Sequence, residues 1–180
     1  MLKKMAAGIA GVAVAALCTV AVAGSISGAG ATFPAPVYQK WAETYKATSG
    51  NELNYQAIGS GGGIKNITAK SVDFGASDAP MTNAELAAAP GIIHLPTVAG
   101  AVTVAYNVPG LGPGVALTGP VIADIFLGKI TKWNDPAIAK LNPGVKFPST
   151  AIEPFHRSDG SGTTNAFPTY LSEVSGAWKS

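Results

Sequence analysis

The chain has 180 residues, 47% of them apolar and only 12% charged, with 22 glycines, 13 prolines and one cysteine. Valine, isoleucine, threonine and aromatic residues recur throughout, which excludes a disordered chain and supplies enough apolar material for one sizeable core. The formal charge of +2 comes from Lys3 and Lys4; beyond them basic and acidic residues balance, leaving no cationic face of the kind that nucleic-acid binding requires.

Residues 1–23 read as a removable export signal. Lys3 and Lys4 form a basic start, an Ala/Val/Gly-rich run follows, and Ala21-Val22-Ala23 ahead of Gly24 is a small-residue cleavage pattern. The competing reading is an uncleaved anchor over residues 5–23, just long enough to span a bilayer. The run is mostly alanine and glycine rather than leucine and isoleucine, which favours cleavage. Leu17 stands where a bacterial lipoprotein site carries a small residue, which argues against a lipid on Cys18. If Cys18 leaves with the leader, neither disulfide nor thiol chemistry remains.

From Ser25 onward short strands, small-residue loops and helices alternate, the layout of an α/β domain around a mostly parallel sheet. The run 32–48 reads as a helix, with Pro34 early, Gly50 just beyond, and Val37, Trp41 and Tyr45 spaced to form one buried face. A strand is expected over 52–58, a loop over 59–63, a short helix over 64–70 and a strand over 72–76. Thr82 and Glu85 have capping-box spacing for a helix ending near Ala89-Pro90. The β-branched stretch 92–108, broken by Pro96 and Gly100, is too long for one ordinary strand; it is long enough to carry the chain from one lobe into another.

Residues 121–127 read as a helix stopped by Gly128, and Asp135-Pro136 opens another that ends at Asn142-Pro143-Gly144. A strand over 152–156 leads into a polar loop and a helix toward Leu171. Pro168 lies inside that helix, where its ring removes a donor and clashes with the preceding turn, so a kink or an early end is expected there.

Three times a strand runs into a Gly/Ser/Thr loop that opens a helix: over 28–33, 59–63 and 160–164. Each arrangement exposes backbone N–H groups at the positive end of a helix dipole, where an anion is stabilised. Thr32, Ser60, Ser161 and Thr163 add hydroxyl donors. Arg157, beside the third loop, presents a planar fork matched to two oxygens of a tetrahedral oxyanion.

Sharper motifs fail. Gly59-Ser60-Gly61-Gly62-Gly63-Ile64-Lys65-Asn66 lacks the ending of a nucleotide P-loop and the third glycine of a dinucleotide fingerprint. Neither Ser60 nor Ser161 sits in a nucleophile elbow. His94 and His156 are far apart with no cysteine partner, so no zinc site is expected and His94 reads as core or strand. Trp41, Trp133 and Trp178 read as packing residues.

Four motifs in order then resemble one family: Gly28-Ala29-Gly30-Ala31-Thr32-Phe33-Pro34, Ile58-Gly59-Ser60-Gly61-Gly62, Val72-Asp73-Phe74-Gly75-Ala76-Ser77-Asp78-Ala79-Pro80 and Arg157-Ser158-Asp159-Gly160-Ser161-Gly162-Thr163. They are similar to the periplasmic phosphate-binding proteins of bacterial phosphate ABC transporters. Phe126-Leu127-Gly128-Lys129-Ile130 and Trp133-Asn134-Asp135 also match.

The resemblance implies a two-lobed periplasmic-binding-protein fold that encloses inorganic phosphate in its cleft, with no reaction and no cofactor or metal. It implies delivery of phosphate to an inner-membrane permease. Carried over motif by motif, Thr32 and Phe33 would give hydroxyl and backbone donors, Ser60 a hydroxyl and Asp78 a carboxylate acceptor. Arg157, Ser161, Gly162 and Thr163 would complete the cage, and Asp159 would hold the Arg157 fork in place. Family chains are considerably longer, so residues 24–97 read as the N-terminal part of the first lobe and residues 98–180 as an incomplete second lobe.

The chemistry agrees with that assignment. Phosphate near neutral pH still carries a proton that Asp78 can accept in a hydrogen bond, whereas sulfate would set two negative groups face to face with an unpaired acceptor. Read alone, Ser77-Asp78-Ala79-Pro80 favours a turn or helix-capping role for Asp78, and the matching motif reverses that preference. Two other readings remain: an exported phosphate-ester hydrolase with Ser60 or Ser161 as nucleophile, and a binder of sulfate, molybdate or another oxyanion.

Overall fold

The computed structural model describes residues 24–180, so the export-signal reading, the anchor reading and Cys18 lie outside the described residues. Strand β1 (Ser25–Gly30) is the centre of a three-stranded sheet, flanked by β2 (Glu52–Ala57) on one side and β3 (Phe74–Ala76) on the other. Both pairings are parallel, with Gly28 opposite Tyr55 and Phe74. Parallel neighbours need crossover helices. Helix α1 (Ala35–Ser49) joins β1 to β2 and helix α2 (Ser60–Thr68) joins β2 to β3, giving the α/β architecture expected from the alternation of elements.

The two helices cover opposite faces. Tyr38 of α1 meets Tyr55 edge-on with ring centroids 5.0 Å apart, and Tyr55 stacks on Phe74 at 5.9 Å. Edge-on and stacked aromatic pairs of this kind add attraction beyond the area they bury. On the other face a Cβ on Gly75 would lie 2.9 Å from the Gly63 carbonyl and 3.0 Å from Ile67. Gly63 is equally tight, since a Cβ there would lie 2.5 Å from the Ala76 carbonyl and 2.7 Å from Gly30 Cα. The glycines let α2 lie directly on the strand backbones.

Helix α2 therefore starts at Ser60, four residues before the helix expected from sequence, and its first turn is built from the glycine run assigned to a loop. Glycine is a poor helix former; close packing on β1 and β3 decides the matter here. The Val37-Trp41-Tyr45 face of α1 is less covered than its spacing suggests: Trp41 is 49% exposed and leans on Tyr38 at 5.7 Å.

Helix α3 (Asn83–Ala88) carries the full capping box, with Glu85 N–H donating to Thr82 Oγ1 at 3.3 Å and Thr82 N–H to Glu85 Oε2 at 2.7 Å. The stretch 92–108 then runs without regular structure. Its β-branched residues find no neighbouring strand among the described residues, and Ile93 is 75% exposed. His94 is exposed as well, rather than core; its Nε2 accepts the Met81 N–H at 3.3 Å.

Helix α4 (Gly119–Phe126), helix α5 (Pro136–Leu141), helix α6 (Gly162–Val174) and the short helix α7 (Gly176–Lys179) follow. Ile125, Ile130 and the fully buried Ile138 form a core joined by Val121, Trp133, Phe147 and Ile152. Asp135 caps α5 by accepting the Ala137 N–H at 2.8 Å, with Pro136 in the first turn, as its sequence indicates. The expected strand over 152–156 is absent; an isolated antiparallel bridge between Lys132 and Ala151 precedes it, and the Ile152 N–H donates to the Thr131 carbonyl at 2.8 Å. Helix α6 does not end at Pro168 but runs six residues past it to Val174. Phe167 packs edge-on against Phe126 of α4 at 5.0 Å and Leu171 is fully buried, so packing holds the helix together despite the missing amide.

Candidate anion-binding site

Because β1, β2 and β3 point the same way, the loops at their carboxyl ends lie side by side, the position at which open α/β sheets hold ligands. Thr32 follows β1, Ser60 follows β2 and Asp78 follows β3. The polar loop 157–161 and the first turn of α6 dock onto all three. Arg157 Nη1 donates to Thr32 Oγ1 at 2.6 Å, and Thr163 Oγ1 donates to Asp78 Oδ2 at 2.7 Å. Asp78 N–H donates to Ser60 Oγ at 3.1 Å, while Gly61 N–H donates to the Gly160 carbonyl at 2.8 Å.

Two helix N-termini meet at this point. Ser60 opens α2 and Gly162 opens α6, and a Cβ on Gly162 would lie 2.5 Å from Ser60 Oγ and 2.7 Å from Asp78 Cβ. The absence of a side chain at Gly162 is a steric requirement. Both helices bring first-turn amides and the positive ends of their dipoles to one place. Ser161 caps α6 through its hydroxyl, which accepts the Thr164 N–H at 3.1 Å, and both Ser60 and Ser161 are buried.

Arg157 is held by Asp159, with Nε donating to Oδ1 at 2.7 Å and Nη2 to Oδ2. The hydrogen bonds between them pull the Asp159 carboxyl below its ordinary range and raise the Arg157 guanidinium above its own. This leaves the third guanidinium nitrogen on Thr32. A planar group fixed on two edges is oriented before any ligand arrives.

Of the residues singled out in the sequence, Thr32, Ser60, Asp78, Arg157, Asp159, Ser161, Gly162 and Thr163 thus form one connected cluster. Phe33 sits beside it through Thr32, but its ring is 41% exposed and lies over Gly100, where a Cβ would come within 2.5 Å of it. Sequence reasoning missed Tyr55, whose hydroxyl donates to the Ala31 carbonyl at 2.6 Å and braces the loop that carries Thr32. Burial pushes the Tyr55 hydroxyl well above the ordinary tyrosine range, so it stays a donor. Nothing in a strand residue 24 positions away signals this role.

Helices on both faces of a parallel sheet, with a polar cluster at the carboxyl ends of the strands, define an α/β binding-protein architecture. Residues 19–180 match a family model described as a PBP superfamily domain, and the chain belongs to that superfamily. It is 55% identical over 156 residues to the phosphate-binding protein PstS of Pasteurella multocida, covering 86% of this chain and 45% of that one. It is 52% identical over 160 residues to the PstS of Haemophilus influenzae, covering 88% of this chain and 48% of that one. The chain therefore spans about half the length of the curated relatives it matches. A crystal structure from Clostridium perfringens, described as a phosphate ABC transporter substrate-binding protein with bound phosphate, superposes with a TM-score of 0.59 at 25% identity, covering 82% of this chain and 56% of that one.

Proposed function

We propose that this chain binds inorganic phosphate between the strand-end loops and the N-terminus of α6, as the binding component of an exported phosphate-import system. The observation that carries this reading is Asp78, a carboxylate held among donors: Thr163 on its Oδ2, Arg157 nearby through Thr32, and two helix N-termini. A site built only to attract an anion would exclude a carboxylate. One built for an anion that still carries a proton uses it as the acceptor.

In this reading Thr32, Ser60, Ser161 and Thr163 donate hydroxyl or backbone hydrogen bonds, and Phe33 and Gly162 donate backbone N–H groups. Arg157 supplies the fork, held by Asp159. Hydrogen bonds to a charged ligand contribute about 1.5–3 kcal/mol each, so a cage of this size reaches micromolar affinity or better after ordering costs. The names of the similar proteins from Pasteurella multocida and Haemophilus influenzae support phosphate as the anion.

The cleft lies between a lobe of residues 24–97 and a second lobe begun by residues 98–180. Residues 1–23 direct export to the periplasm, and an inner-membrane permease receives the phosphate. The protein acts by binding, without turnover. Ser60 Oγ and Ser161 Oγ both accept backbone amides, which suits structural hydroxyls better than nucleophiles.

Equilibrium dialysis with radiolabelled phosphate tests the proposal. Saturable retention that excess phosphate abolishes, and that sulfate and molybdate do not, is the expected result, with no hydrolysis of a chromogenic phosphate ester. Displacement by sulfate at equal concentration would overturn the choice of anion.

A further inference from the structure

Three hydrogen bonds join loop 157–161 and the start of α6 to the strand-end loops. Two use side chains already assigned to the anion, Arg157 to Thr32 and Thr163 to Asp78, so an arriving phosphate competes for those donors and acceptors. The third does not. Gly61 N–H donates to the Gly160 carbonyl at 2.8 Å, backbone to backbone. Gly61 is the second residue of α2, so its amide has no partner within the helix.

The approach is tight, and a side chain on either residue would have to push the two backbones apart by a few tenths of an ångström. A Cβ on Gly61 would lie 3.3 Å from Gly160 Cα and 3.4 Å from its carbonyl oxygen. A Cβ on Gly160 would lie 3.1 Å from Gly61 Cα and 3.4 Å from Gly61 N. Each obstruction is backbone, so no side chain can swing aside. Next to them a Cβ on Gly59 would lie 2.7 Å from Asp159 Oδ2, which ties the same contact to the carboxylate that orients Arg157.

We propose that Gly61 and Gly160 form a backbone latch that sets how closely the two halves of the site approach, making them positioning residues for phosphate retention although neither touches the anion. The inference rests on the phosphate-binding reading above. A latch that persists alongside the ligand acts on release more than on encounter, because encounter precedes closure.

The test compares the full chain with Gly61→Ala, Gly160→Ala and Gly160→Val by stopped-flow kinetics with inorganic phosphate and by thermal unfolding without it. The latch predicts a release rate raised about tenfold in each alanine variant and further in Gly160→Val, with the association rate within about twofold of the parent. The phosphate-free melting temperature is expected to hold, or to rise in Gly61→Ala because alanine suits a helix better than glycine. Unchanged release rates in variants of a parent that binds phosphate would overturn the latch alone. A melting temperature that falls in step with the affinity would also overturn it, by assigning the glycines to folding. A parent chain that binds no phosphate would overturn the underlying reading of the site.

Discussion

Thr163 Oγ1 donates to Asp78 Oδ2 at 2.7 Å across 85 positions of sequence. One residue lies in the first turn of α6 and the other just beyond β3, so this bond helps to hold the start of α6 on the strand-end loops. It engages Oδ2 of the carboxylate and leaves Oδ1 outside that contact.

Asp78→Asn keeps the size of the side chain and an oxygen that can accept from Thr163, but removes the charge. Phosphate affinity is expected to fall about tenfold to a hundredfold, the equivalent of one charge-assisted hydrogen bond. Sulfate, no longer repelled, is expected to compete. Paired titrations with the two anions check this; unchanged selectivity would remove Asp78 from the discriminating role.

Arg157→Lys retains the positive charge and loses the fork. A lysine cannot engage both oxygens of Asp159 and Thr32 Oγ1 together. The expected loss of phosphate affinity is again about tenfold or more, with little change in thermal stability because the Arg157–Asp159 pair is substantially exposed. Calorimetry and thermal unfolding of the same preparation separate the two effects.

Asn142→Ala tests the helical half away from the site. The Asn142 side chain is buried, accepts the Ala116 N–H at 2.7 Å and donates to the carbonyls of Ala116 and Ile138, each at 2.8 Å. Its loss is expected to cost about 1–3 kcal/mol in a denaturant titration, since the exposed Ala116 regains water while the Ile138 carbonyl loses a buried partner.

Acid should destabilise the fold through four carboxyls held below their ordinary range: Glu52 by Lys46, Asp73 by the Ser27 amide and hydroxyl, Glu85 by the Thr82 amide and hydroxyl, and Asp159 by Arg157. Each is more acidic folded than unfolded. Their contribution is therefore complete above the unfolded values, near pH 4, and is lost as pH falls through the lower folded values. A melting temperature that is flat between about pH 7 and 5 and declines below about pH 4 is the expected profile.

What the sequence made legible follows interaction range. The Thr82–Glu85 box and the Asp135-Pro136 start are local devices, complete within four residues, and both stand as read. The alternation of strands and helices foretold the parallel sheet. The stretch 152–156 looks like a strand by composition, but a strand exists only beside another, and composition names no neighbour. Likewise the glycines at 61–63 read as loop because propensity is local, while the contact of Gly63 with Gly30 that makes them helical is not. For the candidate site, the motifs named residues that the fold brings into one cluster. The pairing of Arg157 with Thr32, 125 positions apart, became visible only once the strands were laid side by side.

The central claim is that these residues hold phosphate and reject sulfate, and a calorimetric titration of the chain from residue 24 with each anion at neutral pH tests it most directly. Saturable heat with phosphate and none with sulfate is the predicted result. Equal heats from both anions, or none from phosphate, would contradict it.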